Sequence, residues 1–412
     1  MKNNSYSRHP LVFNARRANN YTPEKTNICT ANQRYKRKSK VKKTTFLITA
    51  VALLQLCLSA CAGKNMNYSG QYIKRIDTFK NDSRDGAHII RYRPDGKHIA
   101  VTGGLNPHIY IYDVETGKRI KKLDKQTKRA EQLSYGGDGR YLVNVRYSEE
   151  DKKLYNVVRD VEQDYKIIHD DIVISSAGRF YYPAPNGKII VPTSAVRNVA
   201  TGKGESKLNI YTPPEMHVKE FWHNEEGFDN FSISPDGKYM VDFLVEYLAG
   251  PHLAHRENNL YHMRVWKYPE MVLVKKINNV HKYWPAVLAW SWDSKVLYTN
   301  ACIDRKKPET DIKLWNTKSW EPIKHYQTEK SKIFNAFFLS DNRHLFGYWT
   351  HSRLFQLVNC YTDKVIEEIE FPDASYPYAM AQNPVKKNQF AFAFNTEIWI
   401  YEVELPTQLE KN

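Results

Sequence analysis

A phrase of alternating apolar residues, usually closing on an aromatic and then a polar residue, returns seven times in this chain of 412 residues. The copies fall at 108–113, 154–160, 208–212, 263–267, 312–316, 354–359 and 398–402. Their final polar residues are 47, 52, 55, 49, 43 and 43 residues apart. A period of roughly 40 to 55 residues belongs to an array of supersecondary units, each too small to bury its apolar face alone. Around each copy lie the parts of a four-stranded antiparallel unit. In the first, 87–92 alternates, Pro94-Asp95-Gly96-Lys97 supplies a turn suited to positive φ, 98–102 alternates again, 108–114 is the repeated phrase and 119–123 follows Thr116-Gly117-Lys118. The first turn returns as Gly137-Asp138-Gly139, Pro185-Asn186-Gly187, Pro235-Asp236-Gly237 and Trp292-Asp293-Ser294, and more weakly at Asp341-Asn342 and Lys387-Asn388. Short, evenly spaced strands with hairpin signals and no helical period predict an all-β fold, a seven-bladed β-propeller of four-stranded blades over 71–404. The seventh copy supplies strands at 378–382, 389–394 and 397–403 but no fourth, and 71–79 has the alternation to complete it. The ring is therefore expected to close through its N-terminal strand, leaving no open sheet edge between first and last blades.

Tyr112-Asp113-Val114-Glu115-Thr116-Gly117-Lys118 is similar to the end of the third strand in a WD repeat, with Trp266-Lys267 and Trp315-Asn316 as degenerate forms. The Gly-His dipeptide that opens many such repeats is missing, and the Asp-Gly-Lys hairpins look more like those of bacterial WD40-like, surface-layer-type propellers. The chain thus resembles the WD40-like propeller superfamily.

A second feature bears on location. Lys42-Lys43 precedes a mostly apolar run of 13 residues, 46–58, which ends in Leu58-Ser59-Ala60-Cys61. A basic head, a short apolar core and a small-residue site describe a secretory signal peptide, and the core falls short of the roughly 20 residues a spanning helix needs. The last four residues resemble the lipobox of bacterial lipoproteins, which implies that Cys61 carries the lipid and begins the mature chain. Residues 1–40 then read as an extension without fold, or as an artefact of start-site assignment if translation begins at Val41. Residues 41–60 are the signal peptide, 61–70 the lipidated Cys and a tether, and 405–412 a tail. Stable anchoring takes more than one acyl chain, which lipoproteins of this kind carry. Ala62 after the cysteine, by resemblance to the enterobacterial sorting pattern, favours the periplasmic face of the outer membrane over the inner membrane.

The formal charge of +16 is concentrated at the start: residues 1–60 hold 12 Lys and Arg against Glu24 alone, which leaves 49 basic and 44 acidic residues beyond. That near balance argues against nucleic acid as a partner. Past the expected cleavage site only Cys302 and Cys360 remain, too few for a disulfide framework, and two buried thiols is the reading preferred to a bond between them.

No catalytic, metal or cofactor signature is evident. His252-Leu253-Ala254-His255 lacks the Glu of a zinc-protease helix, the hairpin Asp and Asn residues are accounted for by turn conformation, and Trp290, Trp292, Trp315 and Trp399 sit where packing between blades explains them. Loop length is more informative. The connections between second and third strands are expected to be short in the sixth and seventh blades (351–352, 395–396) and long in the third, fourth and fifth (194–206, 247–258, 304–310). In a propeller these all emerge on one face, so three long loops from consecutive blades form one patch. It holds Arg197, Lys203, Lys207, Tyr247, His252, His255, Arg256, Arg305, Lys306 and Lys307, with Tyr283 and Trp284 on the neighbouring connection. Long loops on a rigid scaffold commonly carry binding. The expectation is a monomeric, lipid-anchored scaffold that meets another envelope protein or an anionic envelope component through this basic, aromatic-containing face. The alternative is a lactonase-like or glycan-acting hydrolase with its site in the central funnel.

Overall fold

The computed structural model of the chain describes residues 69–82, 87–103, 108–123, 133–148, 150–172, 182–193, 206–223, 231–247, 259–282, 285–302, 310–329, 335–348, 354–371, 377, 379–394 and 396–406. These hold strands only, arranged as seven four-stranded antiparallel sheets. A first strand, β1 (Ile73–Lys80), precedes blade one, which is β2 (Ala87–Tyr92), β3 (His98–Gly103), β4 (Ile109–Asp113) and β5 (Arg119–Lys122). Blade two is β6 (Leu133–Tyr135), β7 (Tyr141–Tyr147), β8 (Leu154–Asp160) and β9 (Lys166–Ile172); blade three is β10 (Tyr182–Pro183), β11 (Ile189–Thr193), β12 (Ser206–Thr212) and β13 (His217–His223). Blade four is β14 (Phe231–Ile233), β15 (Tyr239–Tyr247), β16 (Asn259–Lys267) and β17 (Val272–His281); blade five is β18 (Pro285–Trp290), β19 (Val296–Cys302), β20 (Thr310–Asn316) and β21 (Glu321–Thr328). Blade six is β22 (Asn335–Phe338), β23 (His344–Tyr348), β24 (Leu354–Asn359) and β25 (Lys364–Glu370). Blade seven takes β26 (Ala379–Gln382), β27 (Gln389–Ala393) and β28 (Glu397–Val403) from the C-terminus and β1 as its outermost strand.

The repeated phrase is the third strand of each blade, where both faces are covered and the side chains are almost wholly buried, as in β4 and β24. Apolar residues on both faces of a sheet need a partner sheet on each side, and the ring provides it. Seven apolar cores lie between successive blades, one for each junction from blades one and two round to seven and one. The junction of blades six and seven is the most aromatic, with Phe346, Phe355, Phe371, Phe390, Phe392, Trp399 and Tyr401 in tilted and edge-on contacts. Trp290 and Trp315 pack between blades four and five, Trp399 between six and seven, and Trp292 against the core of five and six.

Closure is antiparallel and specific. β1 runs from Ile73 opposite Val403 to Lys80 opposite Glu397, with a bulge between Arg75 and Asp77. Ile73 and Phe79 are its buried anchors. The carboxylate of Glu367 on β25 receives the backbone N–H groups of Gln71, Tyr72 (2.9 Å) and Ile73 (2.7 Å), so blade six holds the start of a strand that belongs to blade seven.

The face bearing the first-to-second-strand turns is stitched together. Each turn's Asp or Asn accepts its own backbone, as Asp95 does from Lys97 N–H (2.9 Å) and Asp341 from Arg343 N–H (3.0 Å). The left-handed position is Gly96, Gly139, Gly187 and Gly237 in blades one to four, but Ser294 and Asn342 in blades five and six. Those two side chains reach a neighbour: Ser294 Oγ accepts from Asp236 N–H (3.1 Å) and Asn342 Oδ1 from Trp292 N–H (2.6 Å). Ser340 N–H donates to Asn388 Oδ1 (2.9 Å), Asn383 Nδ2 to Gly96 C=O (3.2 Å), Arg93 Nε to Gly139 C=O (3.2 Å) and Gly137 N–H to Ala184 C=O (3.1 Å). Turn bonds to turn from blade to blade, which makes this face a rigid base.

Candidate interaction face

The opposite face carries the second-to-third-strand connections. They span 194–205, 248–258 and 303–309 in blades three, four and five, against 394–396 in blade seven. The three blades are neighbours in the ring, through the cores they share. Blade four is also taller. β15 and β16 pair from Tyr239 and Lys267 to Tyr247 and Asn259, whereas β23 and β24 pair over five positions only. At about 3.3 Å per residue the blade-four hairpin rises on the order of 10 Å above blade six.

Beneath these loops, where blades four and five meet, lies a buried polar shelf. His281 ends β17; its Nδ1–H donates to Asp311 Oδ2 (2.7 Å), and its Nε2 accepts from the Thr299 hydroxyl (2.8 Å). Thr299 Oγ1 in turn accepts from the Trp315 indole N–H (3.0 Å), and the Asp311 carboxylate, which can only accept, puts the proton of neutral His281 on Nδ1. The other Asp311 oxygen meets His325 Nε2 (2.8 Å), whose side chain is half exposed. Lys313 donates to the Val280 carbonyl. Burial pushes His281 below the usual histidine value, against the pull of Asp311. Burial opposes ionisation of Asp311 too, but hydrogen bonds from His281 and His325 outweigh it and hold the carboxyl below its ordinary range. Desolvation likewise lowers Lys313. Farther out, His262 Nε2 meets Glu246 Oε2 (3.1 Å) and its Nδ1 accepts from Asn279 N–H (3.4 Å).

Blade four repeats the device with a charge. Asp242 stands where Thr299 does, two pairs along the second strand from the Trp, and accepts Trp266 Nε1–H (2.8 Å) and Arg264 Nε–H (3.1 Å). Arg264 and Asp242 are fully buried, and the guanidinium lies 5.2 Å from the Trp266 ring centroid. These groups join second to third strand under the loops and give the face a stiff floor.

Of the residues singled out in sequence, Lys207 lies on β12, half-buried, its ammonium held by Glu220 of β13. Tyr247 closes β15, its side chain outside the described residues. Arg197, Lys203, His252, His255, Arg256, Tyr283, Trp284, Arg305, Lys306 and Lys307 lie outside the described residues, as does Cys61. Cys360 is a buried free thiol that donates to Arg343 C=O (3.1 Å), and burial pushes it well above the ordinary range; the Cys302 side chain is outside the described residues. Among the described residues no three His, Cys, Asp or Glu side chains are grouped to hold a metal. Sequence reading missed the His281–Asp311–Thr299–Trp315 relay. His281 follows Val280 rather than a Gly, so no dipeptide motif marks it, and the Trp-to-Thr spacing is visible only once strand register is known.

No protein-family model matches the chain, and no curated protein does. Among solved structures it is similar to the β-propeller domain of Cps50 (Swd1) from Myceliophteria thermophila, at 11% identity and a TM-score of 0.57 over 80% of this chain and 99% of that one. That likeness shows a β-propeller fold.

Proposed function

We propose that the chain is a lipid-anchored protein of a bacterial cell envelope whose propeller is a binding scaffold, and that the loop face of blades three to five meets an envelope protein or an anionic envelope component. The observation that carries this reading is the asymmetry between the two faces. One is a base of short turns bonded blade to blade, and the other bears long loops on three consecutive blades over a rigid polar floor. Basic residues crowd those loops in sequence, and a partly desolvated Arg or Lys is well suited to carboxylate or phosphate. Attachment through Cys61 rests on the signal-like run and the Leu58-Ser59-Ala60-Cys61 motif. Two measurements test the reading. Intact mass and membrane fractionation should show acyl mass on the wild type and its loss in Cys61→Ala; identical soluble behaviour of both would overturn the anchor. Crosslinking in intact cells should lose its main adduct in an Arg305→Glu, Lys306→Glu, Lys307→Glu variant; an unchanged adduct would overturn the assignment of the face.

A further inference from the structure

The rim of the propeller is made of the seven outermost strands, and their charge is uneven. β1 carries Lys74, Arg75 and Lys80 against Asp77, and β5 of adjoining blade one carries Arg119, Lys121 and Lys122 with no acid. Elsewhere, β25 sets Glu367, Glu368 and Glu370 against Lys364, and β9 sets Asp170 and Asp171 against Lys166. β13 and β21 each hold one Lys and one Glu; β17 holds Lys275 and Lys276, the first engaged by Glu321. An exposed apolar side chain stands on both strands of this sector, Ile76 at the bulge of β1 (48% exposed) and Ile120 of β5 (51% exposed); β9, β13, β17 and β21 carry exposed apolar residues too, so this sector is set apart by its charge and by its place beside the tether. Several cations there have partners. Lys74 pairs with Glu404 (2.6 Å), Arg119 with Asp82 (2.9 Å), Lys121 with Asp164, and Arg75 lies over the Trp399 ring. Lys80 and Lys122 are exposed and pair with no carboxylate among the described residues.

The chain reaches the propeller at this same rim. Gln71, Tyr72 and Ile73 are clamped by Glu367 between blades six and seven, and Ser69 Oγ accepts from Arg75 N–H (2.9 Å). Between Cys61 and Tyr68 lie too few residues to span more than about 25 Å when fully extended. A blade alone is about 15 Å across its four strands, and the ring is two blades and a channel wide. Such a tether cannot bring the far sector, blades three to five, to the surface in which the lipid sits while its own exit point stays with the ring.

We infer that the basic, isoleucine-bearing rim of blades seven and one rests on an anionic lipid surface, which holds the loop face of blades three to five away from the membrane. The inference depends on the lipid-anchored reading above. Lys and Arg near an anionic surface attract headgroups, while an exposed apolar side chain reaches the interface beneath them. The acidic β25, on the other flank of β1, turns the contact toward blade one.

The test uses the full mature chain as isolated with its lipid, placed in vesicles of phosphatidylethanolamine and phosphatidylglycerol that contain a headgroup nitroxide lipid. A fluorophore is attached in turn to Lys122→Cys, on the rim of blade one, and to Val274→Cys, on the rim of blade four; labelling of the parent is subtracted. Emission at 122 should be quenched and emission at 274 should not. Exchanging phosphatidylglycerol for phosphatidylcholine, or adding Lys80→Glu and Arg75→Glu, should remove the quenching without changing the circular dichroism melt. Equal quenching at both sites, quenching at 274 alone, or loss of quenching at 122 through pairing of two copies would overturn the proposal. Intact mass and flotation of the same sample separate the two failures. Acylated, floating protein without quenching at 122 sinks the rim contact alone, whereas unacylated protein that does not float sinks the anchor and the contact with it.

Discussion

At the residue scale, the hydroxyl of Thr299 holds an indole on one side and an imidazole on the other, and through His281 it reaches a carboxylate shared with a second histidine. Because burial keeps His281 neutral, its proton balance differs between folded and unfolded chains. Its folded value lies below the ordinary 6.5, so the unfolded chain takes up a proton first as the medium acidifies. The stability it contributes is therefore complete above about pH 6.5 and is lost as pH falls from there toward the lowered folded value. Asp311 acts with the same sign in a lower window, below the ordinary carboxylate value, where protonation of the unfolded chain removes its share. Denaturant midpoints measured between about pH 7.5 and about pH 5 should fall for the wild type. In His281→Gln the midpoint should be lower at neutral pH but flatter with pH; equal slopes in both would refute the role given to His281. The packing of Trp315 was legible in the sequence, because alternation places it on a buried third strand, and Trp266 holds the same place in blade four. Their indole acceptors, Thr299 and Asp242, were not, because an N–H partner two positions along a neighbouring strand depends on register.

Among elements, β1 is the most instructive. Its alternation and the missing fourth strand of the last repeat were enough to foresee that it joins the last blade, and it pairs with β28. The part played by Glu367 could not be foreseen, since a glutamate in a strand that reads as exposed gives no sign that three backbone N–H groups point at it. Charge-assisted bonds of this kind contribute on the order of 1.5–3 kcal/mol each, part of which water recovers when a rim strand opens. Glu367→Ala should leave the rest of the ring folded and speed amide exchange along Ile73–Lys80 by about tenfold or more, a change of about 1.4 kcal/mol in local opening. Exchange unchanged in β1, or raised equally in blade three, would contradict the clamp. The turn residues teach a related lesson. Asp-Gly hairpins were readable as turns, but Ser294 and Asn342 accept positive φ because their side chains bond the adjacent blade, which no local pattern reveals.

For the whole molecule, the bonds that stabilise the ring and the proposed recognition surface lie on different faces. The ring is held by cores between blades and by turn-to-turn bonds on the base, the end of the blades opposite the one from which the long connections leave. Replacing 248–258 with a two-residue turn between Tyr247 and Asn259 should shift the thermal midpoint little, because loop-closure entropy changes by only about 0.6 kcal/mol per doubling of length. The same variant should lose partner crosslinking; a large drop in midpoint with crosslinking retained would reverse the division of labour drawn here. Closure by β1 also sets an order of events during biosynthesis. The strand made first has to wait for the strand made last, about 320 residues later, which at about 5–20 residues per second means roughly 15–65 s with its hydrogen-bonding edge unclaimed. For that interval the emerging ring is an open crescent whose first and last blades each lack a neighbour. Under the export proposed above, the chain is kept unfolded over the same interval and the ring closes only after the membrane is crossed.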